Sequence, residues 1–167
     1  GLEDIRGCVA CLGCNAGNGC ALGGIVNDIA EKFKEADGLV VASPVYYASP
    51  NATLVALLDR LFYSARFDKR DKVGAAVVCA RRGGCTAAFD VLNKYFTISN
   101  MPVVSSNYWN QVHGSNPAEV KQDEEGMQVM RELGRNMAWL LKCIEAGRAA
   151  GIPDPVKEKQ VMTNFIR

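Results

Sequence analysis

Two stretches of this chain admit few folds. Leu39-Val40-Val41-Ala42 and the run from Val73 to Ala80 are uncharged and apolar, without the polar alternation of a half-exposed strand. Runs that short and that apolar read as strands covered on both faces, the pattern of a parallel sheet. Helical periodicity flanks them. Ile25, Val26, Ile29, Ala30 and Phe33 recur at helical spacing over residues 25–35, and Ala36-Asp37-Gly38 ends that helix. Ser43 and Pro44 are expected to stop the first strand, and Ser49-Pro50-Asn51 to cap a second helix. That helix turns Leu54, Val55, Leu57, Leu58, Leu61 and Phe62 inward and keeps Asp59 and Arg60 outside.

The unit then repeats. Arg81-Arg82-Gly83-Gly84 is a turn, and residues 86–95 form a helix with Phe89, Leu92 and Phe96 facing inward. Pro102-Val103-Val104 opens a third, shorter strand reaching Tyr108-Trp109, followed by a polar loop through residues 114–117. A long helix over residues 124–145 carries a stripe that includes Met127, Met130, Leu133 and Met137, with Gly147 as its C-cap. The tail from Ile152 holds two prolines and reads as an extended arm. Repeated strand–loop–helix units make an α/β domain around a parallel sheet, a single domain over residues 1–167. Ligands in such sheets sit outside the carboxyl ends of the strands, which singles out residues 43–51, 81–85 and 108–115.

Composition narrows the class. Of 167 residues, 49% are apolar and 22% charged, with a formal net charge of +1. That balance excludes intrinsic disorder and gives no basic excess for nucleic acid. No stretch approaches the roughly 18 apolar residues of a membrane helix, and the charged, polar start of the sequence does not read as a secretory signal. Four of the seven cysteines crowd together while Cys79, Cys85 and Cys143 are scattered and read as small buried apolar residues. An odd total with one dense cluster points away from disulfides and to the cytoplasm.

The cluster is Cys8-x2-Cys11-x2-Cys14-x5-Cys20. Four thiolates this close repel one another, and an iron–sulfur cluster or Zn²⁺ supplies the cationic charge they need. Two x2 gaps wrap a tight loop around a cubane face, whereas structural zinc sites more often separate their cysteine pairs by a dozen or more residues. Redox-active thiols or a bare structural loop are the remaining readings. With His113 the only histidine, two-histidine metal sites within one chain are excluded.

Among the strand-end loops, Ser43-Pro44-Val45-Tyr46-Tyr47 offers a hydroxyl, backbone amides and two rings, which suits a flat, polar-edged ring such as isoalloxazine. A plain strand-to-helix connection with its tyrosines on the core fits equally. Arg81-Arg82-Gly83-Gly84 permits close backbone approach and offers cations to an anionic flavin or a phosphate; a solvated turn is the other reading. His113, beside Tyr108, Trp109 and Asn110, reads as structural.

The segment from Glu35 to Tyr47, Leu58-Asp59-Arg60, Val73-Gly74-Ala75-Ala76, Arg81-Arg82-Gly83-Gly84, Tyr108-Trp109-Asn110 and Thr163-Asn164-Phe165-Ile166-Arg167 resemble the NAD(P)H-dependent FMN reductases of the flavodoxin-like superfamily. The four-cysteine pattern resembles its iron–sulfur flavoprotein branch. The resemblance implies a flavodoxin-like doubly wound parallel sheet. It implies FMN held by Ser43, Pro44, Val45, Tyr46, Tyr47 and Asn51 on one loop and Arg81, Arg82, Gly83 and Gly84 on another. It further implies a 4Fe–4S cluster on Cys8, Cys11, Cys14 and Cys20, homodimers or homotetramers, and electron flow from ferredoxin or NAD(P)H through FMN to a small acceptor. The alternatives are a plain NAD(P)H:FMN or quinone reductase without a cluster, and a non-enzymatic, zinc-stabilised binding module.

One departure stands out. Flavodoxin-like proteins begin with a strand and a loop that grips the FMN phosphate at a helix N-terminus. This sequence begins beyond that unit, and has Gly23-Gly24 where similar proteins tend to carry acidic residues. A segment of about 35–40 residues, the length of a βα unit plus a strand, is therefore expected to precede Gly1.

Overall fold

The second apolar run becomes the middle of the sheet because it can be buried on both sides. In a computed structural model, which describes residues 3–163, this run is β3 (Val73–Ala80), where only Val77 and Cys79 escape full burial. It pairs in parallel with β1 (Gly38–Tyr46), from Gly38 opposite Val73 to Pro44 opposite Cys79. On its other side it pairs in parallel with β4 (Gln111–His113). A two-residue strand, β2 (Ser49–Pro50), adds antiparallel to the end of β1, giving the order β2-β1-β3-β4.

Helices cover both faces. On one face Val41, Ala76, Val78 and Ala80 meet α1 (Ile25–Glu35), α2 (Ala52–Ser64) and α3 (Cys85–Ile98) through Phe33, Leu58, Leu61, Leu92 and Phe96. On the other, Val73 and Ala75 pack on α5 (Glu124–Ala149) around Leu133. The short α4 (Pro117–Val120) precedes α5. The doubly wound arrangement is thus present. Along β1, Val41 and Ser43 are buried while Val40, Ala42 and Pro44 are exposed, and among the described residues no strand pairs with its outer edge from Gly38 to Pro44.

Several expectations need correction. Leu39–Ala42 is not covered on both faces: Val40 and Ala42 are exposed, because the helices packed on β1 cover the side of Val41 and Ser43. Ser43 and Pro44 do not stop β1, which runs on to Tyr46; Pro44 lies where one edge of the strand is unpaired, and a missing N–H is tolerated there. The third strand does not run from residue 102 to 109. Val103 makes one isolated bridge to Gly74, the chain then loops outward, and pairing resumes only at Gln111 opposite Val78. The last helix passes Gly147 and stops at Ala149. Gly151, at φ 79°, closes it, with Ile152 N–H donating to Gly147 O and Gly151 N–H to Arg148 O, both at 3.0 Å. Cys143 is exposed, not buried.

No described helix is long and apolar enough to cross a membrane. Residues 152–163 form neither helix nor strand and are exposed, tied at their base by a hydrogen bond of 3.0 Å from Arg70 to Pro155 O. Asn164, Phe165, Ile166 and Arg167, from the closing sequence motif, lie outside the described residues.

Candidate functional site

The loop after β1 is a tight hairpin. Tyr47 and Ala48 take φ values of 49° and 58°, so both central residues of a two-residue turn adopt the left-handed conformation that usually selects Asn-Gly. Holding side-chain-bearing residues there costs about 1–2 kcal/mol each. The surroundings that hold them are visible. Ser43, only 3% exposed, donates from Oγ to Pro44 O and accepts from Asn51 N–H, both at 2.8 Å. Asn51 in turn caps α2 by accepting from Leu54 N–H at 3.0 Å. Ser43 therefore faces inward and shapes the loop, whereas Tyr46 and Tyr47 point out, Tyr47 completely. The tyrosines are not core residues.

The second loop leans on the first. Gly84 has φ 95°, and a Cβ on it would lie 2.8 Å from Ala48 Cα and 3.1 Å from Val45 Cγ1. Only glycine permits that approach. Arg81, Arg82 and Gly83 are exposed beside it. Pro44, Tyr46, Arg81, Ser115, Asn116 and Lys121 line one cleft of about 850 Å³, so each of the three strand-end loops reaches it. Of the residues expected to hold FMN, Pro44, Val45, Tyr46 and Arg81 line it, and Ser43, Tyr47, Asn51, Arg82, Gly83 and Gly84 do not. A cleft of that size is in the range of cofactor sites. Lys121 and α4 were not anticipated from sequence. Asn116, accepting from Ala118 and Glu119 N–H groups ahead of Pro117, was the available signal, but a four-residue helix has no periodicity to detect.

Behind the cleft, His113 Nε2 lies 3.9 Å from Cys85 Sγ, and its Nδ1 lies 3.7 Å from Asp123 Oδ2. Asp123 also accepts from the backbone N–H of His113 and caps α5 through Gly126 N–H. Burial pushes the Asp123 carboxyl up, but these N–H groups and His113 outweigh it and leave it below the ordinary range. Burial raises the thiols of both Cys79 and Cys85. Asp123 thus holds the His113 backbone at 2.7 Å, while the His113 side chain stays 40% exposed beside Cys85 and Asp123.

The second site is the cysteine loop. A 3-10 turn, Gly13–Ala16, turns Cys14 inward. Asn27 on α1 pins Cys20 through both backbone groups, accepting from its N–H at 2.8 Å and donating to its carbonyl at 3.2 Å. Cys8, Cys11, Cys14 and Cys20 then line a single tight pocket of about 20 Å³, walled on the far side by Arg60, Tyr63 and Ser64 of α2. Arg60, expected outside, is only 5% exposed. Its Nε donates to Cys20 Sγ at 3.3 Å, and its Nη atoms donate to Arg6 O at 3.3 Å and Gly23 O at 2.6 Å. Burial raises the Cys20 thiol, but the bond from Arg60, the N–H groups of Leu22 and Gly23 and the guanidinium charge bring it below its ordinary value. Arg66 Nη2 lies 3.9 Å from Cys14 Sγ. Among the described residues, no three His, Cys, Asp or Glu side chains converge on one ion-sized point. What the structure presents is a pocket lined by four cysteines, Cys8 and Cys11 exposed and Cys14 buried. The Arg60 guanidinium stands in its wall and that of Arg66 beside Cys14, a donor set suited to an anionic metal–sulfur group.

The family model for NADPH-dependent FMN reductase matches residues 3–116. The chain belongs to that family. It is an FMN-dependent oxidoreductase on a flavodoxin-like frame. An iron–sulfur flavoprotein of Methanocaldococcus jannaschii is 32% identical over 151 residues, spanning 86% of this chain and 78% of its own. The iron–sulfur flavoprotein of Methanosarcina thermophila is 33% identical, over 87% of this chain and 78% of its own. The crystal structure of RosB, determined with 8-demethyl-8-formylriboflavin-5'-phosphate bound, aligns with a TM-score of 0.60 at 17% identity, covering 98% of this chain and 74% of that one. At that identity the match speaks for the fold of this FMN reductase family member and nothing finer.

Proposed function

We propose that this family member is an electron-transfer flavoprotein that carries a 4Fe–4S cluster on Cys8, Cys11, Cys14 and Cys20 in addition to FMN. The observation that carries the reading is the single pocket lined by all four cysteines, with Arg60 donating to Cys20 Sγ. Two relatives that align over most of the chain are iron–sulfur flavoproteins, which supports it.

In this reading FMN lies against residues 43–51 and 81–84. Tyr46 and Tyr47 offer apolar ring faces, the Gly83-Gly84 backbone permits close approach, and Arg81 and Arg82 stabilise negative charge gained on reduction. Pro44 and Val45 shape the wall, and Ser43 with Asn51 hold the hairpin in register. FMN supplies the interconversion of one- and two-electron transfer. No side chain need act as an acid or base; the protein contributes placement and charge. Electrons enter from ferredoxin or NAD(P)H and leave to a small acceptor such as a quinone. The protein works in the cytoplasm as a homodimer or homotetramer, and its unpaired thiols suit a reducing compartment.

Anaerobic purification with iron, sulfide and flavin analysis tests the reading. Iron, sulfide and FMN together are expected, and Cys11→Ala should abolish iron while leaving flavin. A yellow protein without iron would instead leave a plain NAD(P)H:FMN or quinone reductase, and a colourless zinc protein a binding module.

A further inference from the structure

We infer that Arg60 and Ser64, one turn apart on α2, are hydrogen-bond donors that raise the reduction potential of the group held by Cys8, Cys11, Cys14 and Cys20. The inference rests on the cluster reading above and adds what tunes the cluster.

Arg60 is a buried cation with no carboxylate against it. Among the described residues it forms no ion pair, and its polar contacts are the Cys20 sulfur and the carbonyls of Arg6 and Gly23. Carbonyl dipoles solvate a guanidinium but leave its charge uncompensated, a cost of several kcal/mol in a buried site. An anionic metal–sulfur group in the adjoining pocket supplies the missing counter-charge. The same three contacts strap the segment before Cys8 and the segment after Cys20 to one side chain, so Arg60 holds both ends of the cysteine loop.

Ser64 is independent of that reasoning. It lines the pocket, is only 4% exposed, and its Oγ has no hydrogen-bond partner. A buried hydroxyl normally finds an acceptor, and in a helix the carbonyl one turn back is the usual one. Ser64 leaves that carbonyl unused and borders a pocket whose lining, besides apolar side chains, Tyr63 and Arg60, includes all four thiols. A cluster or cysteine sulfur is the acceptor that completes it.

The sign follows from charge. One-electron reduction adds one negative charge to the cluster, with no proton moving at Arg60 or Ser64. Donors and a fixed cation stabilise that charge more after reduction than before, so removing them makes reduction harder. The test uses the full chain, reconstituted anaerobically with ferrous iron and sulfide, as wild type, Ser64→Ala and Arg60→Lys. Iron is counted, fold is followed by circular dichroism, and the cluster is titrated potentiometrically with EPR detection. Both variants should keep the full iron content, because Asn27 and the 3-10 turn hold the cysteine loop independently of Arg60. Ser64→Ala should shift the reduced-to-oxidised ratio about tenfold toward oxidised at a given potential, which is ~59 mV for one electron. Arg60→Lys, which keeps the charge but loses the fork, should shift it in the same direction. An unchanged potential in either variant overturns the assignment, as does loss of iron from either, which would mark a purely structural role. A wild type that takes up no iron overturns the cluster reading itself, and the inference with it.

Discussion

Gly84→Ala asks whether the contact between the two cleft loops depends on a missing side chain. Gly84 sits at φ 95°, and its added Cβ would stand 2.8 Å from Ala48 Cα, 3.1 Å from Ala48 Cβ and 3.1 Å from Val45 Cγ1. The left-handed backbone costs an L-residue about 1–2 kcal/mol. Crowding against backbone that cannot rotate away adds about 1–3 kcal/mol. Together the change should destabilise the protein by about 2–5 kcal/mol, or relax by parting the loops and weaken flavin binding by a corresponding factor. Gly83→Ala is the matched control: nothing lies within 4 Å of its Cβ position, and its φ is not in the left-handed range. It should be neutral or slightly stabilising, by up to about 1 kcal/mol. Urea unfolding monitored by two probes, and FMN titration into the apoprotein, measure both consequences. Gly83→Ala controls for stability alone, since its backbone also belongs to the proposed flavin site; if Gly84→Ala and Gly83→Ala unfold at the same midpoint, the loops do not meet as described.

Two other changes probe the frame. Phe96 is fully buried, packs 6.1 Å ring to ring from Phe62, and its ring occupies the space a Cβ on Gly74 would need. Phe96→Ala should cost about 3–5 kcal/mol in denaturant unfolding, and a loss below 1 kcal/mol would mean that the core repacks around it. Asp68 is held down to about 2 by hydrogen bonds from the Arg70 side chain and backbone. Its folded value is depressed, so its contribution is complete above the ordinary aspartate range and is lost as pH falls through about 2. Because the pair is largely exposed, with side chains 27% and 45% accessible, that contribution stays below about 1 kcal/mol. A carboxyl carbon NMR titration of Asp68 with a midpoint near 4 would contradict the contact.

The elements legible in the sequence were those whose neighbours did not matter to their recognition. Val73 to Ala80 is apolar throughout and could only be a buried strand, and the first helix is bounded as its period requires. The strand-end rule found the three loops of the cleft because it depends on topology alone. What failed depended on partners. Whether residues 102–109 pair is decided by β3, which accepts Val103 and Gln111 but not the residues between. Arg60 was placed outside because a helix was given one inner face, set by Leu58 and Leu61. In the fold α2 has a second buried side, turned to the cysteine loop, and nothing in helical periodicity announces a loop from 40 residues earlier as a wall.

That second side makes α2 the physical link between the two sites. Its N-terminus is tied to the loop after β1, which borders the cleft, by Asn51, which bonds Ser43 through its backbone and caps the helix with its side chain. Its last turns present Arg60, Tyr63 and Ser64 to the cysteines. From Asn51 to Arg60 the helix axis advances about 13 Å at ~1.5 Å per residue. Leu58 and Leu61, each 1% exposed, bind the helix to the sheet between those points, so it cannot slide without opening the core. Electron transfer falls off steeply with distance and gains from groups that do not wander. Asn27 pins Cys20 and the 3-10 turn seats Cys14; the bonds from Arg60 tie the same loop to a buried residue of an anchored helix. The buried arginine thus brings charge to the cysteines and, through α2, holds them at a set distance from the cleft.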